Sequence, residues 1–287
     1  MDKIDKKLLK LLAKNARISV TQLAKRSRIS REQANYRLKK LPVTFYPIID
    51  YKQLGVEHFV VFMQNNDIKK IKNHPNINWI GTQLGKWGIV FDIYSKVEDL
   101  NKILRPIVKG EYAVLCVDHE EVYPGKLVDE EVYFPKKKEA KLDVTDKKIL
   151  QFLNNARVSY TEIAKQTDLS VNTIKTRIKR MEKTVIQGYT IAIDHKAFNK
   201  KWFGLQVKID LNNHKEFETF LRLNPLVTYF YRYTLSGHHH YDFNVLAKDE
   251  EELKSFISGL KADIINSFIV LDVLTSQQLP PAVFNQQ

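Results

Sequence analysis

The sequence holds a single cysteine, Cys116, which excludes an intrachain disulfide framework and any paired-cysteine metal knuckle. It lies in the apolar run Tyr112-Ala-Val-Leu-Cys-Val117 and is expected to be a buried strand residue rather than a redox centre or nucleophile. No apolar stretch approaches the ~20 residues of a membrane span, and the Lys-rich start has no signal-peptide apolar region. The expectation is a soluble, intracellular, cytoplasmic protein with no membrane partner. Excess charge is also missing from most of the chain. Of the net +13, residues 1–41 supply 13 Lys/Arg against 3 Asp/Glu and residues 143–183 supply 9 against 5. Residues 42–142 balance at 14 against 14, and residues 184–287 run 10 against 11. The positive excess therefore sits in two segments, as expected of surfaces that displace counterions from a phosphate backbone.

Those two segments are copies of one another. Asp5 to Leu41 reads DKKLLKLLAKNARISVTQLAKRSRISREQANYRLKKL, and Asp146 begins DKKILQFLNNARVSYTEIAKQTDLSVNTIKTRIKRM. Dropping Lys14 aligns Asn15-Ala16-Arg17 with Asn155-Ala156-Arg157, and Ser19, Thr21, Ala24, Lys25 and Ser30 with Ser159, Thr161, Ala164, Lys165 and Ser170. Each copy reads as three short helices. Ile4, Leu8, Leu9, Leu11 and Leu12 form one apolar face at helical spacing. Ser19-x-x-Gln22, Ser30-x-x-Gln33 and Ser159-x-x-Glu162 have capping-box form, whereas Ser170 keeps the cap residue without the returning partner. A helix, a tight turn and a second helix make a helix-turn-helix. The usual turn glycine is missing, so Arg28 and Asp168 are expected to take a left-handed conformation, which Asp tolerates better.

In the third helix Ala34, Leu38 and Leu41, matched by Ile174, Ile178 and Met181, should face the core. The polar residues between them form the candidate DNA-binding faces: Ser30, Arg31, Gln33, Asn35, Tyr36, Arg37, Lys39 and Lys40 in the first copy, and Ser170, Asn172, Thr173, Lys175, Thr176, Arg177, Lys179 and Arg180 in the second. Arg, Gln and Asn can grip base edges bidentately, and the terminal Lys and Arg suit phosphates. The bland alternative is a solvated basic helix in an ordinary bundle.

The rest of the chain predicts β structure. Leu41-Pro42 ends the third helix. A connecting strand at 44–50 is followed by strands at 58–64, 77–84, 89–94 and 112–120, with helices at 67–73 and 97–108. This is the β-α-β-β-α-β order of a ferredoxin-like module. After a linker the pattern recurs: a ribbon at 185–194, strands at 203–211, 227–235, 241–247 and 268–275, and helices at 215–223 and 250–260. The expected fold is α+β, two helix-turn-helix units each followed by a ferredoxin-like βαββαβ module. The boundaries are 1–42, 43–130, a linker at 131–142, 143–184 and 185–287. Thr145 is the expected N-cap of the second unit, and Lys136 to Lys138 read as solvated linker rather than a DNA contact.

Asp146-Lys-Lys-Ile-Leu, Asn155-Ala-Arg-Val-Ser, Glu162-Ile-Ala, Leu169-Ser170, Ile186-x-Gly188-Tyr189-Thr-Ile-Ala-Ile-Asp194, and Gly237 followed by Tyr241-Asp242-Phe243 together resemble the Lrp/AsnC (feast/famine) family of prokaryotic transcription regulators. The resemblance spans nearly the whole chain and is clearer in the second copy. It implies a unit that binds double-stranded DNA, joined to a ferredoxin-like module that pairs with another, often binding an amino acid or other small effector near the pairing surface. On that basis Gly237, His238, Tyr241 and Asp242 are the candidate effector residues. Family members normally carry one copy and dimerise; two copies here predict an internal pseudo-dimer, a homodimer, or both. The first copy lacks the ribbon glycine and, with Trp87-Gly88 at its hairpin, lacks the Tyr-Asp pair. His238-His239-His240 reads as an exposed hairpin tip; successive residues of a regular strand face opposite ways and cannot jointly ligate one metal, whereas a loop could gather them.

No catalytic residue, metal or cofactor is expected. The leading function is a sequence-specific DNA-binding transcription regulator with two unlike recognition helices. The competing readings are an effector-free architectural DNA-binder and an enzyme resembling the siroheme decarboxylases of haem synthesis. The enzyme would need Arg and His converging on carboxylate groups, and the sequence offers Arg222, Arg232 and the His run, with Arg105, His58, His74 and His119 in the first module.

Overall fold

The computed structural model describes residues 1–64, 68–72, 74–128, 130, 132, 134, 141–235 and 237–276. In chain order the elements are α1 (Lys3–Lys14), α2 (Val20–Ser27), α3 (Arg31–Leu38), β1 (Val43–Ile49), β2 (Glu57–Met63), α4 (Ile68–Lys72), β3 (Ile77–Leu84), β4 (Ile89–Ser95), α5 (Val97–Leu104), β5 (Tyr112–Cys116) and β6 (His119–Val122). There follow α6 (Val144–Phe152), α7 (Tyr160–Thr167), α8 (Val171–Met181), β7 (Ile186–Ile193), β8 (Lys201–Ile209), α9 (His214–Leu223), β9 (Tyr229–Leu235), β10 (His238–Ala247), α10 (Glu250–Ser258) and β11 (Asp263–Ser276). Most of the predicted linker, including Lys136 to Lys138, lies outside the described residues, as do the two ends of the helix expected at 67–73.

Contacts divide the chain into a helical unit, 1–54 with 124–194, and a sheet unit, 55–123 with 195–287. The ribbon segments, assigned by sequence to the sheet modules, thus fold with the helices. The reason is that β1 and β7 pair with each other, Val43 opposite Ile193 and Pro47 opposite Tyr189.

In the helical unit the ribbon ties the two copies together reciprocally. The Ala16 amide donates to the Tyr189 carbonyl, and the Ala156 amide donates to the Phe45 carbonyl. Each three-helix bundle is thereby hydrogen-bonded to the other copy's strand. Arg17 donates to the carbonyls of Ala156 (2.7 Å) and Val158, and Arg157 donates to those of Ala16 (2.6 Å) and Ile18. Arg17 also lies over the rings of Tyr160 and Tyr189, and Arg157 over Phe45. Such pairing satisfies carbonyls of the turn between the first and second helices of each copy.

In the sheet unit nine strands run in the order β5-β2-β4-β3-β11-β8-β10-β9-β6, with antiparallel pairing throughout. The first four and the next four each reproduce the ferredoxin-like arrangement. The last strand of each module is shared. β11 pairs with β8 through Asp263 to Ile269 and then with β3 through Ile269 to Ser276. Likewise β5 pairs with β2, and its continuation β6 crosses to β9. The two modules therefore pair inside one chain. Phe203, Val207, Phe217 and Phe256 fill the helix side of the second module, and Phe59, Ile71, Phe91 and Leu104 that of the first. Between the sheets Val60, Phe62, Trp87 and Val90 meet Tyr233, Phe268 and Val270. Each such side chain contributes ~1.5–3 kcal/mol by burial. Gly204 is required there: a Cβ would stand 2.1 Å from the Phe268 ring.

Three expectations need correction. Cys116 is exposed, because it ends β5 where the strand leaves its own module. The N-cap of α6 is Asp143, not Thr145; Asp143 and Asp146 form a capping box that repeats Asp2 and Asp5 at α1. The boxes expected at Ser19 and Ser159 are half made, since each Ser accepts from the third amide on and no returning bond forms.

Candidate nucleic-acid interface

The local sequence builds both recognition helices as expected. Ser30 and Gln33 form a complete capping box, and Ser170 accepts from the Thr173 amide. Arg28 and Asp168 take left-handed conformations at φ 57° and 55°, closing the two turns without glycine. Ile174, Ile178 and Met181 are buried in the second copy. In the first, Ala34 is buried but Leu38 and Leu41 are only half-buried, because α3 stops at Leu38 and the chain turns toward Pro42.

The structure separates the candidate DNA contacts into two groups. Arg31, Asn35, Tyr36, Lys39 and Lys40 are exposed in the first copy, and Asn172, Lys175, Thr176 and Lys179 in the second. Tyr36 accepts from Lys40, which also rides over its ring at 4.4 Å, so the pair forms one cationic, aromatic surface. The other candidates already have partners within the chain. Arg37 is bound by Asp2 and Asp5, both at 2.7 Å, and Arg177 by Asp143 at 2.6 Å and Asp146 at 3.0 Å. Arg180 is drawn to Asp146 as well. Charge-assisted bonds of this kind hold the third helix onto the N-terminus of the first. Arg37, Arg177 and Arg180 are therefore struts of the fold. Ser30, Ser170, Thr173 and Gln33 are committed to capping, Gln33 through its returning bond to the Ser30 amide. The matched Asp-x-x-Asp pairs and their matched Arg partners were visible in the aligned copies.

The four candidate effector residues do not form one site. Tyr241 is buried toward the helices, where its hydroxyl donates to Glu218 at 3.0 Å. Asp242, the next residue, faces between the sheets and accepts from Gln206 at 3.2 Å. Gly237 is an exposed turn residue at φ 75°, and His238 begins β10 beside Asp210. Alternation along the strand sends these groups to opposite faces. The register also restores a counterpart in the first copy. Asp92 lies opposite Val60 as Asp242 lies opposite Gln206, with Phe91 in the place of Tyr241. A longer connection in the first copy, residues 85–88 against 236–237, hid this match.

Between the sheets stands a buried polar group. His58 contacts Glu120 at 3.0 Å and Asp92 at 3.7 Å, stacks on Tyr94 and meets the edge of Tyr231. Burial pulls the imidazole down, but the carboxylates of Asp92 and Glu120 beside it override that and hold it up at about 9. Burial, aided by the charge of Asp92, pushes the Asp242 carboxyl up to about 8 against the opposing bond from Gln206.

Among the described residues, His119, Glu121 and Glu218 are the cluster whose ligand atoms converge within 4.8 Å, and His238 to His240 are not part of it. Arg222 binds Glu121 in bidentate fashion and Arg232 binds Glu218 at 2.7 Å, so these carboxylates already have cationic partners. Burial raises Glu121, yet His119, Arg222 and Tyr123 lower it to about 2. Neither Arg222 nor Arg232, the latter also bound to Asp118, is free to receive a ligand carboxylate. No helix among the described residues is long and apolar enough to cross a membrane.

Fold and interface together define a tandem helix-turn-helix protein whose two sheet modules pair internally. Residues 1–41 and 142–182 both match the AsnC-type helix-turn-helix domain. An uncharacterized HTH-type transcriptional regulator of Pyrococcus abyssi is 31% identical over 142 residues, covering 46% of this chain and 94% of the relative. The HTH-type transcriptional regulator LrpA of Pyrococcus horikoshii is 34% identical over 120 residues, covering 41% and 84%. The crystal structure of the siroheme decarboxylase NirDL superposes with a TM-score of 0.67 over 97% of this chain and 94% of that one, at 14% identity, a likeness of fold alone. The chain belongs to the Lrp/AsnC family.

Proposed function

We propose that the protein is a sequence-specific DNA-binding transcription regulator that reads an unsymmetrical site with two unlike helices of one chain. The observation that carries this reading is the pair of capped recognition helices, whose exposed residues differ between copies while their supporting Asp and Arg struts are the same. A dimer of identical units favours a palindrome; two unlike units joined by β1 and β7 favour two unlike half-sites, one helical turn (~34 Å) or a multiple apart. The supporting test is selection of genomic fragments with the purified chain, then titration of the enriched duplex at two salt concentrations. An enriched site with unlike halves and a steep salt dependence is expected. A palindrome would overturn the unsymmetrical reading.

A second reading draws on the fold shared with NirDL across 97% of the chain. A tetrapyrrole enzyme would present free Arg and His to carboxylate side groups, and here Arg222 and Arg232 are held by Glu121, Asp118 and Glu218. Absorbance titration with an iron tetrapyrrole separates the two: no saturable spectral change is expected of the regulator.

A further inference from the structure

The two helix-turn-helix units differ most where a DNA backbone would lie. Between residues 25 and 40 the first copy carries Lys25, Arg26, Arg28, Arg31, Lys39 and Lys40 against Glu32, once Arg37 is set aside as a strut. Between 165 and 180 the second carries Lys165, Lys175 and Lys179 against Asp168, with Arg177 and Arg180 bound by Asp143 and Asp146. Three aligned positions make most of this difference. Exposed Arg26, Arg28 and Arg31 face Gln166, Asp168 and Val171 in the other copy. They cluster at the turn and the first residue of the recognition helix, and Arg28 and Asp168 share the same left-handed backbone. The side chains therefore leave equivalent backbones and present opposite charge. Lys175, standing where the first copy has Asn35, returns only one cation to the second.

We infer that the first helix-turn-helix is the electrostatic anchor of the protein on DNA, and that the second engages its half-site through a surface with few phosphate contacts. The inference rests on the DNA-binding reading above. Each neutralised phosphate adds ~0.9 to the slope of log affinity against log salt, which is about tenfold in affinity at 0.1 M salt. Three Arg contacts on one side amount to a slope difference of about 3. The first half-site should thus be held at a salt concentration that has already released the second. Near its own half-site Asp168 opposes the phosphates, so discrimination there falls to Asn172, Lys175 and Thr176 on the face of α8.

The test uses the full chain on a selected duplex, with footprinting and titration between 50 and 200 mM salt. The parent should lose protection of one half-site first as salt rises. R26Q/R28D/R31V should weaken binding on the order of 10³-fold at 0.1 M salt and lower the slope by about 3. Adding Q166R/D168R/V171R to that variant restores the total charge and should transfer the salt-resistant protection to the other half-site. All six side chains are exposed or half-buried, so circular dichroism should be unchanged. Simultaneous loss of both half-sites in the parent, or a change below threefold in the first variant, would overturn the anchor assignment while leaving DNA binding intact. A parent chain with no salt-dependent binding to any duplex would instead remove the reading beneath it.

Discussion

Between pH 6.5 and pH 8 the sheet unit should lose about 3 kcal/mol of stability, and two buried groups account for it. His58 is held up at about 9 by Asp92 and Glu120, above the ordinary histidine value of ~6.5. Its contribution is complete below pH 6.5 and disappears as pH rises through 9, amounting to ~3 kcal/mol at 1.36 kcal/mol per unit. Asp242, pushed up to about 8, keeps a proton that the unfolded chain releases near ~4, so stability falls with rising pH up to about 8. From 6.5 to 8 both protons are held by the folded state alone, which sets the steep decline. The three tryptophans, Trp79, Trp87 and Trp202, all lie in the sheet unit, so urea unfolding followed by fluorescence at pH 6, 7 and 8 reports this unit selectively. Asp242→Asn should flatten the profile and raise stability at pH 8; His58→Gln should lower stability at pH 6 and leave pH 9 little changed. Stability constant within ~0.5 kcal/mol from pH 6 to 8 in the parent chain would refute the reasoning.

Other perturbations probe separate parts of the fold. Asp146 is fully buried beside Arg177 and Arg180 and completes the α6 capping box, so Asp146→Ala should cost ~1.5–3 kcal/mol in the helical unit. The partly exposed Asp5→Ala should cost distinctly less by circular dichroism melting, and equal losses would argue against the burial difference. Gly204→Ala should destabilise the sheet unit by ~1–3 kcal/mol through the Phe268 ring, with Gly110→Ala, where a Cβ meets open space but φ is +84°, as the purely conformational comparison. On DNA, Asn35→Ala should relax sequence preference by ~1–3 kcal/mol through loss of a base-edge contact, whereas Lys39→Ala should weaken all sequences alike and lower the salt slope by ~1.

Sequence periodicity and caps carried far because the helical copies are built from local rules. Ser30, Ser170, Arg28 and Asp168 behave as their chemistry dictates, and both modules keep the expected strand and helix order. What stayed hidden was long-range. Nothing local tells that β11 runs 14 residues to serve both modules, or that β5 stays with its own module while β6 crosses to the other. The same limit applies to the surroundings of the candidate site residues. Arg37 and Arg177 look like DNA contacts until Asp2, Asp5, Asp143 and Asp146 are brought beside them from over thirty residues away. Tyr241 and Asp242 look like one site until the strand places them on opposite faces.

The most direct measurement of the central claim is titration of the single chain against the selected duplex and two derived palindromes, each made by duplicating one half-site. A regulator with two unlike readers should bind the natural duplex at one chain per site and both palindromes at least tenfold more weakly. A palindrome bound as tightly as the natural duplex, with two chains per site, would contradict the account.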